Sequence, residues 1–330
     1  MKFTLLASWA LLAAAQTAPP PLVPLDKLNI PKAEEGVADA DQPQAASLNG
    51  NALFGVRDKE GKITAALAVM NQDASNPNLR LAAGRTIDAF LRFNESIPIY
   101  GDGIEKFPKD YRFPRLRGQR HISIRYFREA IADLEKAVQL APNSFDAAYY
   151  LGLAYYFQGE HDRAASSFAR CEAQTEKPLA GKADLLGGRS CETIRQDPNV
   201  LVPLQYWRYL ALRRSGNMEA ARNYLNTVDP NLTVSSARPF QDALLFFLGK
   251  KDISELLAGA NEGGRDFLTR STAAATFLFT EGERAQACSI WARNAMDQNW
   301  DHLGVINSEA EYWRNSRAAC ALYGPPPANK

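Results

Sequence analysis

Between Phe145 and Pro178 the apolar positions form two helical stripes separated by a glycine. Leu151, Gly152 and Tyr155 share one face of the first segment, and Ala164, Phe168 and Cys171 share one face of the second. Spacings of three and four residues predict amphipathic helices, with the turn at Gly159. The small Gly152 and Ala164 mark where two helices approach closely, and Tyr155 and Phe168 fill the space beside them. The pattern recurs at a fixed step. Gly152 maps back to Gly118 and Gly84, Ala164 to Ala130 and Ser96, Phe168 to Leu134 and Tyr100, and Cys171 to Ala137 and Gly103. Pro108, Pro142 and Pro178 close the three copies, the last of them slightly late. Three regular repeats are therefore expected at 77–110, 111–144 and 145–178. Pro98 falls in the second helix of the first copy, where it is tolerable only in the first turn.

Outside these copies the signal weakens. Ile63–Met70 reads as half a repeat that opens a solenoid over 63–322. Residues 179–201 are irregular, with Gly187, Gly188 and Pro198 as breakers, and read as an insertion. Degenerate repeats follow at 202–301. Their turn glycines Gly216, Gly249 and Gly282 are evenly spaced, and Ala221 with Leu225 and Ala287 with Trp291 keep the second-helix spacing. A last helix at 303–322 caps the stack, with Trp300 and Trp313 over its end, and 323–330 is a proline-rich tail. At the other end, MKFTLLASWALLAAA has a lysine, an apolar core and small residues, the pattern of a secretory signal peptide at 1–15. Residues 16–62, rich in proline, alanine and polar residues, read as a disordered or extended arm.

The order L-G-x-x-Y, then A-x-x-x-F, then proline resembles the tetratricopeptide repeat (TPR) family, with Ala148 standing where the family pattern has tryptophan. The resemblance implies an all-α fold, a right-handed α-α superhelix of helix-turn-helix repeats with a concave groove, and a role in binding other proteins. In that family the first helix of each pair lines the groove. Carried onto this chain, the lining positions are Arg85 and Asp88, then Arg112, Arg115 and Gln119, then Tyr149, Tyr156 and Phe157. Arg112 and Arg115 lie three apart and share a helix face. Clustered guanidinium groups suit a carboxylate-bearing segment, and the aromatic rings suit its apolar parts. The alternative is that these arginines pair with nearby acids and keep the surface soluble. The lysine and asparagine set with which some members grip a C-terminal carboxylate is absent.

Charge and chemistry change this picture little. The 330 residues carry a formal net charge of +1, so no global field points to nucleic acid or a membrane surface. The run Lys109, Arg112, Arg115, Arg117, Arg120 and Arg125 holds one acid, Asp110. It lacks the wider basic face that nucleic acid needs, and reads either as a solvated helix surface or as an anionic binding site. Of the three histidines, His121 occupies a core aromatic position, His161 reads as a surface residue and His302 has no evident partner. There is no H-E-x-x-H, C-x-x-C, P-loop or G-x-S-x-G, so neither a metal, a cofactor nor a catalytic site is expected. The four cysteines, in an exported chain, are expected to pair as sequence neighbours, Cys171 with Cys191 and Cys288 with Cys320. Free buried thiols are the other reading.

The expectation is thus a non-enzymatic scaffold, periplasmic or secreted, that holds an acidic peptide or protein segment in its groove. It should bind no nucleic acid and have no integral membrane segment after signal cleavage. Two alternatives stand beside it: an enzyme whose site is built by the 179–201 insertion, and a structural, envelope-associated protein without a specific ligand.

Overall fold

Helix-turn-helix units stack in chain order in the computed structural model, which describes residues 43–180, 182–258, 264–315 and Cys320. The expected signal peptide, the arm up to residue 42 and the tail lie outside the described residues. So does the stretch 316–319 of the expected capping helix. After α1 (Lys62–Gln72) come three regular pairs: α2 (Pro77–Ala89) with α3 (Phe93–Lys106), α4 (Arg112–Ser123) with α5 (Phe127–Leu140), and α6 (Phe145–Gln158) with α7 (His161–Ala173). Three less regular pairs follow: α8 (Pro198–Arg214) with α9 (Met218–Leu225), α10 (Arg238–Phe247) with α11 (Ile253–Leu257), and α12 (Arg265–Thr280) with α13 (Arg284–Asn294). The helix α14 (Leu303–Asn315) ends the described stack. This is an all-α solenoid.

The columns of the repeat are contact columns. A side chain at Gly84 would run into the Tyr100 ring, one at Gly118 into Leu134, and one at Gly152 into the Phe168 ring. Each pair is thus closed by a glycine on its first helix facing a large residue on its second. Gly152→Leu is expected to cost about 1–3 kcal/mol by overpacking α6 on α7. A urea melt checks it, and an unchanged midpoint would show that the two helices do not meet there.

The turns form a second column. Gly159, Gly216, Gly249 and Gly282 all adopt positive φ, between 70° and 96°. The positions equivalent to Gly159 in the two preceding repeats are Arg125 (φ 68°) and Leu91 (φ 55°). The left-handed conformation is disfavoured for residues with a Cβ, so something must hold these two in place.

Two expectations need correction. Pro98 lies in the second turn of α3, not the first. The helix survives the lost hydrogen bond because Phe93, Tyr100 and Ile104 anchor it in the core. The irregular stretch after α7 ends at Asp197, because that side chain caps α8 by accepting from the Asn199 N–H, and Pro198 occupies a position where no N–H is needed. A short 3-10 helix at Cys191–Gln196 sits inside this stretch. It carries Cys191, which is bonded to Cys171, and Cys288 is bonded to Cys320.

Part of the expected N-terminal arm is a two-stranded antiparallel hairpin, β1 (Pro43–Ala46) and β2 (Ala52–Phe54). It packs with Phe93, Ile124 and Trp300 in one cluster, so the first described residues lie against the segment just before α14. Trp300 Nε1 donates to the Phe54 carbonyl at 3.0 Å.

Candidate functional site

The C-terminal helix shapes what is left of the concave face. α14 packs on α12, α13 and also on α6, far back along the stack. Residues 304–312 are all buried, including Glu309 and Glu311. Glu309 meets Arg125 in a two-pronged contact (Nε–Oε2 3.0 Å, Nη2–Oε1 2.5 Å), and it accepts the Leu48 N–H from the hairpin loop at 3.1 Å. Arg125 also donates to the carbonyls of Ser123 and Trp300. The left-handed turn residue of the second repeat is thus the anchor for the last helix. Glu311 pairs with Arg214 (2.7 Å) and Arg314 (3.0 Å), and His161 Nε2 lies 3.7 Å away.

His161 is accordingly buried, not on the surface, because α14 covers it. Burial holds its pKa below the usual imidazole value against the opposing pull of Glu311. Its neighbours Arg214 and Arg314 hold Glu311 well below the carboxylate range despite burial. His302, also desolvated and close to Arg265, is lowered to about 4. All three folded pKa values lie below the unfolded ones, so the unfolded chain binds more protons on acidification. Stability should be full above about pH 6.5, fall as the pH drops towards about 4, and fall further as carboxylates protonate. Urea midpoints measured across that range test this, and a midpoint flat down to about pH 4.5 would contradict it.

A cavity of about 480 Å³ remains beside the N-terminus of α14. Its wall comes from the first helices of successive pairs. α4 gives Gln119, Arg120 and Ser123, α6 gives Tyr150, and α8 gives Tyr206 and Trp207. Phe240 of α10, Asp266 and Thr269 of α12, and His302 complete it. A larger outer cleft between α5 and α7 exists, but its Arg163 is already engaged by Glu160, Glu135 and Tyr155.

The structure divides the expected groove residues into three groups. Tyr149, Tyr156 and Phe157 are buried core, which corrects their assignment as ligand contacts. Tyr149 stacks on Phe145, and Tyr156 and Phe157 both pack edge-on against Trp207. Tyr149 also packs on Phe168 of α7, and α14 lies against the other end of α6, where its Arg314 donates to the Phe157 carbonyl at 2.8 Å. The neighbouring Tyr150 faces the cavity instead. Arg112 and Asp88 are engaged within the fold. Arg112 forms a fork on Asp110 (2.9 and 2.6 Å) and reaches Asn78. Asp88 accepts from the Tyr100 hydroxyl at 2.7 Å and lies 3.6 Å from Arg120.

Arg85, Arg115 and Gln119 remain. Arg115 donates to Gln119 at 2.9 Å, and Gln119 donates to the Tyr150 hydroxyl at 2.8 Å, a relay ending at the cavity. The Arg115 Nε is buried without a partner, and desolvation, with nearby Arg85 adding to it, lowers the guanidinium pKa. Asp146 opposes that shift, but it is itself bonded to Arg189 at 2.5 Å. Arg85 is exposed.

Sequence reasoning missed Tyr150 and Asp266, gave His302 no role, and reached Arg120 only as one member of the basic run. One signal was present: α6, FDAAYYLGLAYYFQ, is apolar on every side, the mark of a helix buried all round. Its tyrosines are therefore poor candidates for solvent-facing contacts.

No family model matches the chain, and no curated protein matches it. Among solved structures it is similar to a chain of the Naa15/Naa10 complex bound to HypK-THB, at 17% identity and a TM-score of 0.35. The match covers 79% of this chain and 38% of that one, so the chain spans well under half of that neighbour's length.

Proposed function

We propose that this protein is an exported, non-enzymatic scaffold that binds a carboxylate-bearing peptide or protein segment on the concave face of its solenoid. The observation that carries the reading is Arg115, a half-buried guanidinium whose Nε is buried without a partner and which has no acid bonded to it, linked through Gln119 and Tyr150 to a cavity. A partly desolvated charge without a counter-charge is costly, and a ligand carboxylate would supply one. Because α14 packs across α6 and α12, the segment enters as a short stretch or chain end. Export to the periplasm or secretion is supported by the apolar N-terminal run and by the two cysteine pairs, which persist in oxidising compartments. Among the described residues no helix is long and apolar enough to cross a membrane.

Crosslinking the protein in its own cells would identify the partner. An Arg85→Ala, Arg115→Ala double variant should then bind that partner more weakly by on the order of 1–2 kcal/mol. Its melting temperature should hold or rise, since a desolvated charge has gone. Unchanged affinity would remove the site.

A further inference from the structure

The cavity has two ends of opposite character. At the α4 end stands Arg120, its guanidinium over the Phe93 ring at 4.7 Å, with Nε buried and making no hydrogen bond. Its one acid, Asp88, is 3.6 Å away and already takes the Tyr100 hydroxyl. The Tyr150 hydroxyl beside it accepts from Gln119, which leaves its own proton to give. At the α12 end stands Asp266, exposed on the helix's first turn. Its neighbour Arg265 is occupied by both oxygens of Asp301, at 3.0 and 3.2 Å. His302 accepts the Gly304 N–H at Nδ1, so its Nε2 carries the proton and is a neutral donor. Between the ends lie Ser123 and Thr269 and the rings of Tyr206, Trp207 and Phe240.

We propose that this cavity binds a short peptide with both termini free, its carboxylate at Arg120 and Tyr150 and its ammonium at Asp266. Each end offers a charge of the required sign, and the wall between them mixes apolar rings with hydroxyls, as a peptide backbone with small side chains requires. The volume of about 480 Å³ suits a ligand of a few residues and excludes a long one. The inference rests on the concave face being the binding surface, and narrows its ligand from any acidic segment to a zwitterionic one. A small polyanion would be repelled by Asp266, and a neutral ligand would leave both ends unpaired.

The test is titration calorimetry of the oxidised full-length chain with tri-L-alanine, N-acetyl-tri-alanine and tri-alanine amide. Tri-alanine should bind saturably, and blocking either terminus should weaken binding by about tenfold or more. Asp266→Asn, an exposed change that leaves the core intact, should weaken tri-alanine by about tenfold and leave the N-acetyl peptide unaffected. Arg120→Gln should do the same for the free peptide while sparing the amide, and if that variant misfolds the Asp266→Asn comparison decides alone. No saturable heat, or blocked peptides that bind as well as the free one, would overturn the proposal. A crosslinked macromolecular partner that still depends on Arg85 and Arg115 would in that case leave the scaffold reading standing.

Discussion

Glu309→Ala should destabilise the protein by about 3–5 kcal/mol, because it strands a fully buried guanidinium. Arg125 is held by the fold in a left-handed turn conformation, so its side chain has no route to solvent that keeps the turn. Loss of Glu309 also leaves the Leu48 N–H of the hairpin loop without its acceptor. The double variant Arg125→Gly, Glu309→Ala should be far less damaged than the sum of the single losses. Glycine is what four other turns use at this position, and it would relieve the cost of positive φ, about 1–3 kcal/mol. Urea melts of the two single variants and the double variant form a mutant cycle. A loss below about 1 kcal/mol for Glu309→Ala would mean that α14 is not anchored through this pair.

This pair explains why an arginine replaces glycine in the turn column. In an open solenoid each unit touches only its neighbours. Here Arg125 and Glu309 are 184 residues apart and Leu48 and Glu309 are 261 apart, so early and late parts of the chain share one buried network. Closure of this kind makes the stack more cooperative than a free array. It also limits how much concave surface a partner can reach, because the helix that closes the network packs across α6 and α12.

What the sequence made legible follows from the same distinction. The columns Gly84–Tyr100, Gly118–Leu134 and Gly152–Phe168 are contacts within one pair, repeated at a fixed step, and periodicity exposes them directly. Turn glycines 216, 249 and 282 were readable for the same reason. The burial of His161, Tyr156 and Phe157 depends on α14, a helix from the far end of the chain, and no period encodes that. Family positions for a groove presuppose an open concave face. They therefore placed α6 aromatics in solvent, whereas α7, α8 and α14 together made them core. The arginines divided on local chemistry: Arg112 lies beside Asp110 and is captured by it, while Arg115 has no acid bonded to it.

Reduction of both disulfides should cost more than any single substitution considered above. Cys171–Cys191 and Cys288–Cys320 close loops of 20 and 32 residues, and the chain-entropy relation gives about 3.3 and about 3.7 kcal/mol. The two act on separate segments, so their losses should add to about 7 kcal/mol, comparable with the whole stability of many domains. The native consequences should differ. The segment closed by Cys171–Cys191 is also held by the Ser144–Ser190 bridge and by backbone bonds from Phe145 to Arg189 and from Cys191 to Asn143. Its loss should leave the native fold intact and act mainly through the unfolded chain. Cys288–Cys320 ties α13 to the chain just beyond α14, the helix that closes the network. Breaking it should therefore raise hydrogen exchange in the C-terminal turn of α14 before the rest of the protein responds. Paired Cys→Ser variants separate the two effects. Equal urea midpoints with and without reductant would show that neither pair contributes, and equal exchange in α14 would show that the second does not secure the closing helix.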